Sequence, residues 1–287
     1  MSELTATALD HIRQCAESHN ASHVFALFSG GHDSLCATHI AMQTGLVTGV
    51  AHINTGVGVH ATRQFVRDTC QRYGWPLLEL FAKEDCGQDY AAFVMRDGFP
   101  GPHGHGMMYA RLKDRCIRKL LRDHKDGNRP VALISGCRRE ESTRRMGTVE
   151  PVQRQGRRLW IAPCCNWSGS DQAAYMRQHG LPRNPVKDMM CMSGECLCGA
   201  FAQKGELAEW MRCFPDDEGV RDLVALRDKV VADHPWDWDE GPPKWYMEKK
   251  RGQDFMFQIQ PKIEMLCTRC NSRHESVVAA AKGVAGE

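Results

Sequence analysis

Val24-Phe25-Ala26-Leu27-Phe28-Ser29-Gly30-Gly31-His32-Asp33-Ser34 is an apolar run cut off by a serine and two glycines. Behind it Leu35, Cys36, His39, Ile40 and Met42 recur at the spacing of a helix face. The stretch predicts a strand, a tight turn and a helix. Working outward, Val47 to Ile53 predicts a second strand ended by Asn54-Thr55-Gly56, and Phe65, Val66, Thr69, Cys70 and Tyr73 mark a helix closed by Gly74. Further strands are expected at Leu77 to Phe81, at Val131 to Ile134 running into Ser135-Gly136, and at Leu159 to Ala162. Tyr109 to Arg122 reads as a basic helix, and Asp171 to His179 as a helix stopped by Gly180 and Pro182. This alternation predicts an α/β fold, a doubly wound and mostly parallel sheet covered on both faces. Past about residue 200 the alternation ends and the chain turns helical and acidic, with Trp236, Trp238 and Trp245. The expected division is a nucleotide-binding domain over 1–200, with a cysteine cluster at its end, and a helical C-terminal appendage and tail over 201–287.

Of the 287 residues, 42% are hydrophobic and 25% charged, an ordinary globular mixture that excludes bulk disorder. The net charge of +2 does not by itself point to nucleic acid, so only local clusters of charge carry information. Glu3 and Asp10 interrupt the apolar core that an export signal needs, and no apolar run of about 18 residues occurs. A cytoplasmic protein without membrane partners is expected, with its fourteen cysteines acting as thiols or metal ligands rather than as a disulfide framework.

A turn between a strand and a helix presents successive backbone N–H groups to an anion, reinforced by the positive end of the helix dipole. Gly30 and Gly31 allow phosphate to approach, Ser29 and Ser34 add hydroxyl donors, and a carboxylate at Asp33 can hold Mg²⁺ beside a polyphosphate. No Walker A motif occurs, which disfavours a P-loop kinase or GTPase. Gly56-Val57-Gly58-Val59-His60-Ala61 fits the G-x-G-x-x-A dinucleotide pattern, but that pattern usually opens the first βαβ unit, a place already taken by the Gly30-Gly31 turn.

Ser29-Gly30-Gly31-His32-Asp33-Ser34 resembles the signature of the PP-loop ATP pyrophosphatases, and later segments extend the likeness to the phosphoadenosine phosphosulfate reductase branch of that superfamily. They are Ile53-Asn54-Thr55-Gly56 with Phe65-Val66, Lys113 to Lys119 around Cys116, Gly136-Cys137-Arg138-Arg139-Glu140-Glu141-Ser142-Thr143-Arg144, and Leu181-Pro182-Arg183-Asn184-Pro185 leading into Cys191. The resemblance spans residues 22–200. It implies an adenine nucleotide on Ser29, Gly30, Gly31, Asp33 and Ser34, with Asn54, Thr55 and Gly56 at the adenosine and Gly136, Arg138 and Arg144 at the phosphates. Sulfonucleotide reductases, as the resemblance has it, carry a degenerate loop and an E-C-G-L-H tail. Here the loop keeps Asp33, and positions 281–287 read Ala-Lys-Gly-Val-Ala-Gly-Glu. A complete loop suits Mg-assisted cleavage of ATP to AMP and pyrophosphate.

Cys191, Cys196 and Cys198 lie within eight residues, bracketed by Gly194 and Gly199, and can fold around iron–sulfur or zinc. The family comparison nominates Cys116 as the fourth ligand of a 4Fe–4S cluster or Zn²⁺, with Cys267, Cys270 and His274 as the competing source. His103 and His105 are further candidates, whereas Cys164-Cys165 reads as packing. Arg138, Arg139, Arg144, Arg145, Arg154, Arg157 and Arg158 form a basic run that suits phosphate or a nucleic-acid backbone, interrupted by Glu140 and Glu141. The leading expectation is an enzyme that adenylates an acceptor, on nucleic acid, for sulfur supplied by a donor protein. The catalytic residues would be Asp33, Arg138 and Arg144. The alternatives are a phosphosulfate reductase that releases sulfite and a nucleotide-sensing module without turnover.

Overall fold

Apolar residues at helical spacing, Ala8, Leu9, Ile12, Cys15 and Ala16, bury one face of α1 (Glu3–Ser18). The computed structural model describes residues 3–141, 149–243 and 246. β1 (His23–Leu27), α2 (His32–Gln43), β2 (Gly49–Asn54), α3 (His60–Tyr73) and β3 (Leu77–Phe81) follow as the sequence predicts. α4 (Tyr90–Asp97) then leads to α5 (His105–Tyr109) and α6 (Arg115–Asp123), joined by a π-helical turn over Ala110–Asp114. β4 (Val131–Ile134) is buried throughout, and β5 (Val152–Gln155) turns at Gly156 into β6 (Arg158–Ile161). The described chain continues through α7 (Gly169–Gln178), α8 (Pro185–Met190), α9 (Glu206–Cys213) and α10 (Glu218–Asp233). No described helix is long and apolar enough to cross a membrane.

The strands form a 6-stranded sheet in the order β3-β2-β1-β4-β6-β5. All neighbours are parallel except the β5–β6 hairpin at the edge. Each strand alternates sides, as its two-residue period requires. Phe25, Leu27, Ala51, Ile53, Val131, Leu133 and Trp160 join the core that holds α4, α6, α9 and α10. Val24, Ala26, Phe28, Val50, Ala132, Ile134, Leu159 and Ile161 join the one that holds α1, α2 and α7. This is the doubly wound α/β sheet expected.

The helices after residue 200 do not stand apart. Leu207, Trp210, Val220, Leu223, Val230, Trp236 and Trp238 belong to the same core as Leu27 and Ile53. The indole of Trp238 donates to Leu197 O at 2.9 Å, and that of Trp236 to Phe99 O at 3.0 Å. The described part of the 201–287 segment thus completes one face of the sheet. Trp245 lies outside the described residues.

The chain winds from β1 outward to β3 and then crosses to β4 on the other side of β1. Strand order therefore reverses between β1 and β4, and a crevice opens at their carboxyl ends, where open α/β sheets place ligands.

Candidate nucleotide-binding site

The residues that follow β1 and β4 meet in this crevice. Ser29, Gly31, Asp33, Ser34, Ser135, Gly136, Cys137 and Glu141 line a cleft of about 140 Å³, together with Leu27, Ala51 and Ile53 from the sheet and residues of the 191–198 loop. Gly30 adopts φ +80°, and a side chain there would also collide with Thr62 of α3, so this glycine is required twice over. Ser34 Oγ donates to Gly31 O at 2.8 Å and accepts from Ser29 N at 3.3 Å, which closes the turn on itself. Gly31 is the N-cap of α2, and no side chain caps the helix, leaving its first amides to meet an anion. A Cβ on Gly136 would lie 2.5 Å from Ser34 N, so the end of β4 presses directly on the turn.

Asp33, in the first turn of α2, accepts from Arg138 Nε at 2.5 Å. Arg138 is only 8% exposed and also donates to Trp167 O at 3.2 Å and Glu140 Oε2 at 3.3 Å. Burial works against its charge, but the carboxylates of Asp33, Glu141 and Glu140 together hold the Arg138 pKa above its ordinary value. A carboxylate and a guanidinium are therefore fixed side by side in the cleft at the start of α2.

Asn184 fastens the turn from behind. Fully buried, it donates to Gly30 O at 2.9 Å and Thr62 Oγ1 at 3.2 Å, accepts from Val186 N at 3.0 Å, and so also caps α8. Its backbone amide reaches His32 Nε2 at 3.3 Å, and burial pushes the His32 pKa down. The Leu181–Pro185 segment earns its place in the sequence pattern through this one amide side chain.

Asn54, Thr55 and Gly56 support the site without lining the cleft. Asn54 donates to Glu79 Oε1 and accepts from Gly56 N, both at 3.1 Å, while Thr55 Oγ1 donates to Glu195 O at 3.0 Å. The cysteine loop rests on the turn beyond them: Val59 N donates to Gly194 O at 2.8 Å and Leu197 N to Val57 O at 2.5 Å. A side chain on Gly58 would strike Glu195 O, and one on Gly219 of α10 would strike Gly58 O. Close backbone approach explains Gly58, and the dinucleotide pattern around it needs no cofactor.

Cys191, Cys196 and Cys198 all line the cleft. Cys191 ends α8 at φ +56°, a left-handed conformation rare outside glycine. The neighbouring Cys198 and then the Lys113 charge, against the cost of burial, hold the Cys196 thiol below its ordinary pKa. Cys116 does not join them. It is fully buried, its sulfur lies 3.7 Å from that of Cys86, and burial raises its pKa. Among the described residues no group of three or more Cys, His, Asp or Glu side chains is arranged to hold a metal ion. Of the four cysteines expected to hold a centre, Cys191, Cys196 and Cys198 line the cleft, while Cys116 on α6 lies in the core beside Cys86. Cys86 carries no motif, and nothing in the sequence pairs it with Cys116.

Three further arginines of the basic run have partners within the protein. Arg139 donates to Val149 O at 2.8 Å and Asn166 Oδ1 at 2.7 Å, Arg154 to Gly156 O at 3.3 Å, and Arg158 to Asp114 Oδ1 at 2.5 Å. Arg157, by contrast, leaves its buried Nη1 without a hydrogen-bond partner among the described residues. Arg144, Arg145, Cys267, Cys270 and His274 lie outside the described residues. His105 lines the cleft with its ring tilted against that of Phe201, while His103 does not line it.

The buried ion pair of Lys113 and Glu195 was not foreseen. Lys113 Nζ donates to Glu195 Oε2 at 2.7 Å, and both residues line the cleft. The π-helical turn makes this possible by shifting the helix register so that Lys113 and Asp114 both face inward.

A nucleotide-binding α/β fold with its phosphate turn at the switch point is the class these features define. Residues 23–196, more than half of the chain, match the model of the phosphoadenosine phosphosulfate reductase domain, and the chain belongs to that family. It is 27% identical over 204 residues to an adenosine 5'-phosphosulfate reductase of Burkholderia cepacia, covering 65% of this chain and 77% of that protein. It is 26% identical over 164 residues to an adenosine 5'-phosphosulfate reductase of Bacillus mycoides, covering 56% of this chain and 66% of that protein. In fold it is similar to the NMN synthetase of Francisella tularensis, with a TM-score of 0.51 at 15% identity over 91% of this chain and 98% of that one. Membership of this family makes it a nucleotide-binding enzyme of sulfur metabolism.

Proposed function

We propose that this enzyme binds ATP and cleaves it to AMP and pyrophosphate, activating an acceptor for sulfur transfer. The observation that carries this reading is the Asp33–Arg138 pair beside an uncapped helix N-terminus in the cleft. The amides at the start of α2 and the hydroxyls of Ser29 and Ser34 would cradle the β- and γ-phosphates. Arg138 would stabilise charge on the α-phosphate as the acceptor oxygen forms its bond to phosphorus and pyrophosphate leaves. Mg²⁺, held by Asp33, would neutralise the departing pyrophosphate. A sulfur nucleophile would then displace AMP from the acceptor. The described cysteines are all free of disulfides, which suits a reducing, cytoplasmic setting.

Pyrophosphate release from Mg-ATP in the presence of candidate acceptors tests this reading. Asp33→Asn should lower turnover by about 100-fold or more, the order seen when one preorganised electrostatic group is removed. Unchanged turnover would refute the assignment.

A second reading is favoured by the cleft thiols and by the names of the relatives. In it a cysteine of the 191–198 loop attacks the sulfur of a phosphosulfate, AMP leaves, and a second thiol displaces sulfite to form a disulfide that an external dithiol reduces. Sulfite release under reducing, anaerobic conditions, lost in Cys196→Ser, would put this reading first. Thermal stabilisation by Mg-ATP against adenosine 5'-phosphosulfate separates the two readings directly.

A further inference from the structure

Lys187 of α8 lines the cleft and is only half-buried, so its side chain keeps accessible surface. Its Nζ donates to Cys191 O at 2.7 Å, and Cys191 lines the cleft as well. An ammonium carries three N–H donors, so this carbonyl takes one and leaves two. Among the described residues no carboxylate pairs with Lys187, and the neighbouring Asp188 is held by Arg183 at 2.9 Å. The other lysine of the cleft, Lys113, is taken by Glu195 at 2.7 Å, and Arg138 is taken by Asp33.

The main chain that carries Lys187 is fixed against the phosphate turn at both ends. Before it, Asn184 donates to Gly30 O at 2.9 Å. After it, Ser193 packs on the turn, with its Cβ 4.0 Å from where a Cβ on Gly31 would lie. Gly31 is the N-cap of α2, and the charge of Lys187 is felt at the next residue: burial, and with it the charges of Arg183 and Lys187, lower the His32 pKa against the pull of Asp188. Gly136 and Arg138 therefore close one side of the turn, and the 184–193 segment closes the other. An ammonium without a carboxylate, beside helix amides that no side chain caps, is a compact point charge placed to meet an anion. We infer that Lys187 is a binding residue for the phosphates of the nucleotide, donating to a phosphate oxygen while it keeps the Cys191 carbonyl. This inference rests on the nucleotide-binding reading above but not on the reaction that follows, since ATP and a phosphosulfate both carry phosphate.

Calorimetry of the parent with Mg-ATP and with adenosine 5'-phosphosulfate identifies the tighter nucleotide, and adenosine, by competition, is the control without phosphate. Lys187→Met removes the charge and keeps the reach of the side chain. It should weaken the nucleotide about tenfold or more, the range of a hydrogen bond to a charged group, and leave adenosine unchanged. Lys187→Arg, which restores a charge, should recover part of the loss. Acetylation of the parent by an amine-reactive ester, read at Lys187 by peptide mass spectrometry, reports the contact without any substitution. Bound nucleotide should slow it and adenosine should not. Unchanged nucleotide affinity in Lys187→Met, an equal loss for nucleotide and adenosine, or acetylation that bound nucleotide does not slow would each overturn the assignment and leave nucleotide binding standing. No binding of either nucleotide by the parent would overturn both readings.

Discussion

Asn184 shows how a single side chain can hold a site together without touching the ligand. It has no exposed surface, and it joins the carbonyl of Gly30, the hydroxyl of Thr62 and the amide of Val186. Asn184→Ala leaves these groups buried without their partner, which costs about 1–3 kcal/mol for each unsatisfied group. The expected outcome is a drop in stability of that order, read from the urea midpoint, together with weaker nucleotide binding as the phosphate turn loosens. Residues of this kind are partly legible in a sequence: the Leu181–Pro185 segment stands out, but the use of its asparagine depends on α3 and the turn being packed together. Ser29, Gly31, Asp33, Ser34 and Gly136 were readable because strand-turn-helix is local. Glu195, Lys113 and Cys86 were not, since their partners lie 82 positions apart for the ion pair and 30 apart for the thiols.

Among the elements, the basic helix expected over Tyr109 to Arg122 is interrupted by the turn at Ala110–Asp114. The periodicity of charged residues predicts the helix but not the inserted residue that turns Lys113 inward. The hairpin strand Val152–Gln155 also escapes sequence reading, because an edge strand with a half-exposed pattern has no continuous apolar run. One carboxylate links two elements: Asp217 accepts from Val220 N at 3.2 Å at the start of α10, and from His60 N at 3.1 Å and Ala61 N at 2.9 Å at the start of α3. Asp217→Ala removes both caps and should destabilise the protein by about 1–3 kcal/mol, measured by chemical denaturation. Asp217→Asn, which keeps an acceptor, should recover much of the loss.

For the molecule as a whole, histidines whose pKa values burial lowers contribute to the response to acid. Burial, and then the nearby His179, push the His39 pKa down to about 4, and burial also lowers His32 and His52. The unfolded chain therefore takes up more protons than the folded one once pH falls below about 6.5. Stability is fully present above that value and declines as pH falls toward 4. Urea midpoints at pH 7 and pH 5 should show the loss, and His39→Gln should reduce the difference between the two.

The contact at Gly58 has a consequence of its own. The turn after β2, the cysteine loop and the first turn of α10 are stacked there main chain on main chain, with two glycines, Gly58 and Gly219, leaving no room for a side chain between them. Thr62, a residue of α3 just beyond, donates its hydroxyl proton to Ser193 O and receives the amide of Asn184, so the thiol-bearing loop and the phosphate turn stand on the same floor. A methyl group at position 58 would lift that floor, at a cost of about 1–3 kcal/mol for overpacking, and Gly58→Ala should therefore impair nucleotide grip and thiol placement together. Neither half of the pocket is a separable module: sequence drift in one is answerable to the geometry of the other.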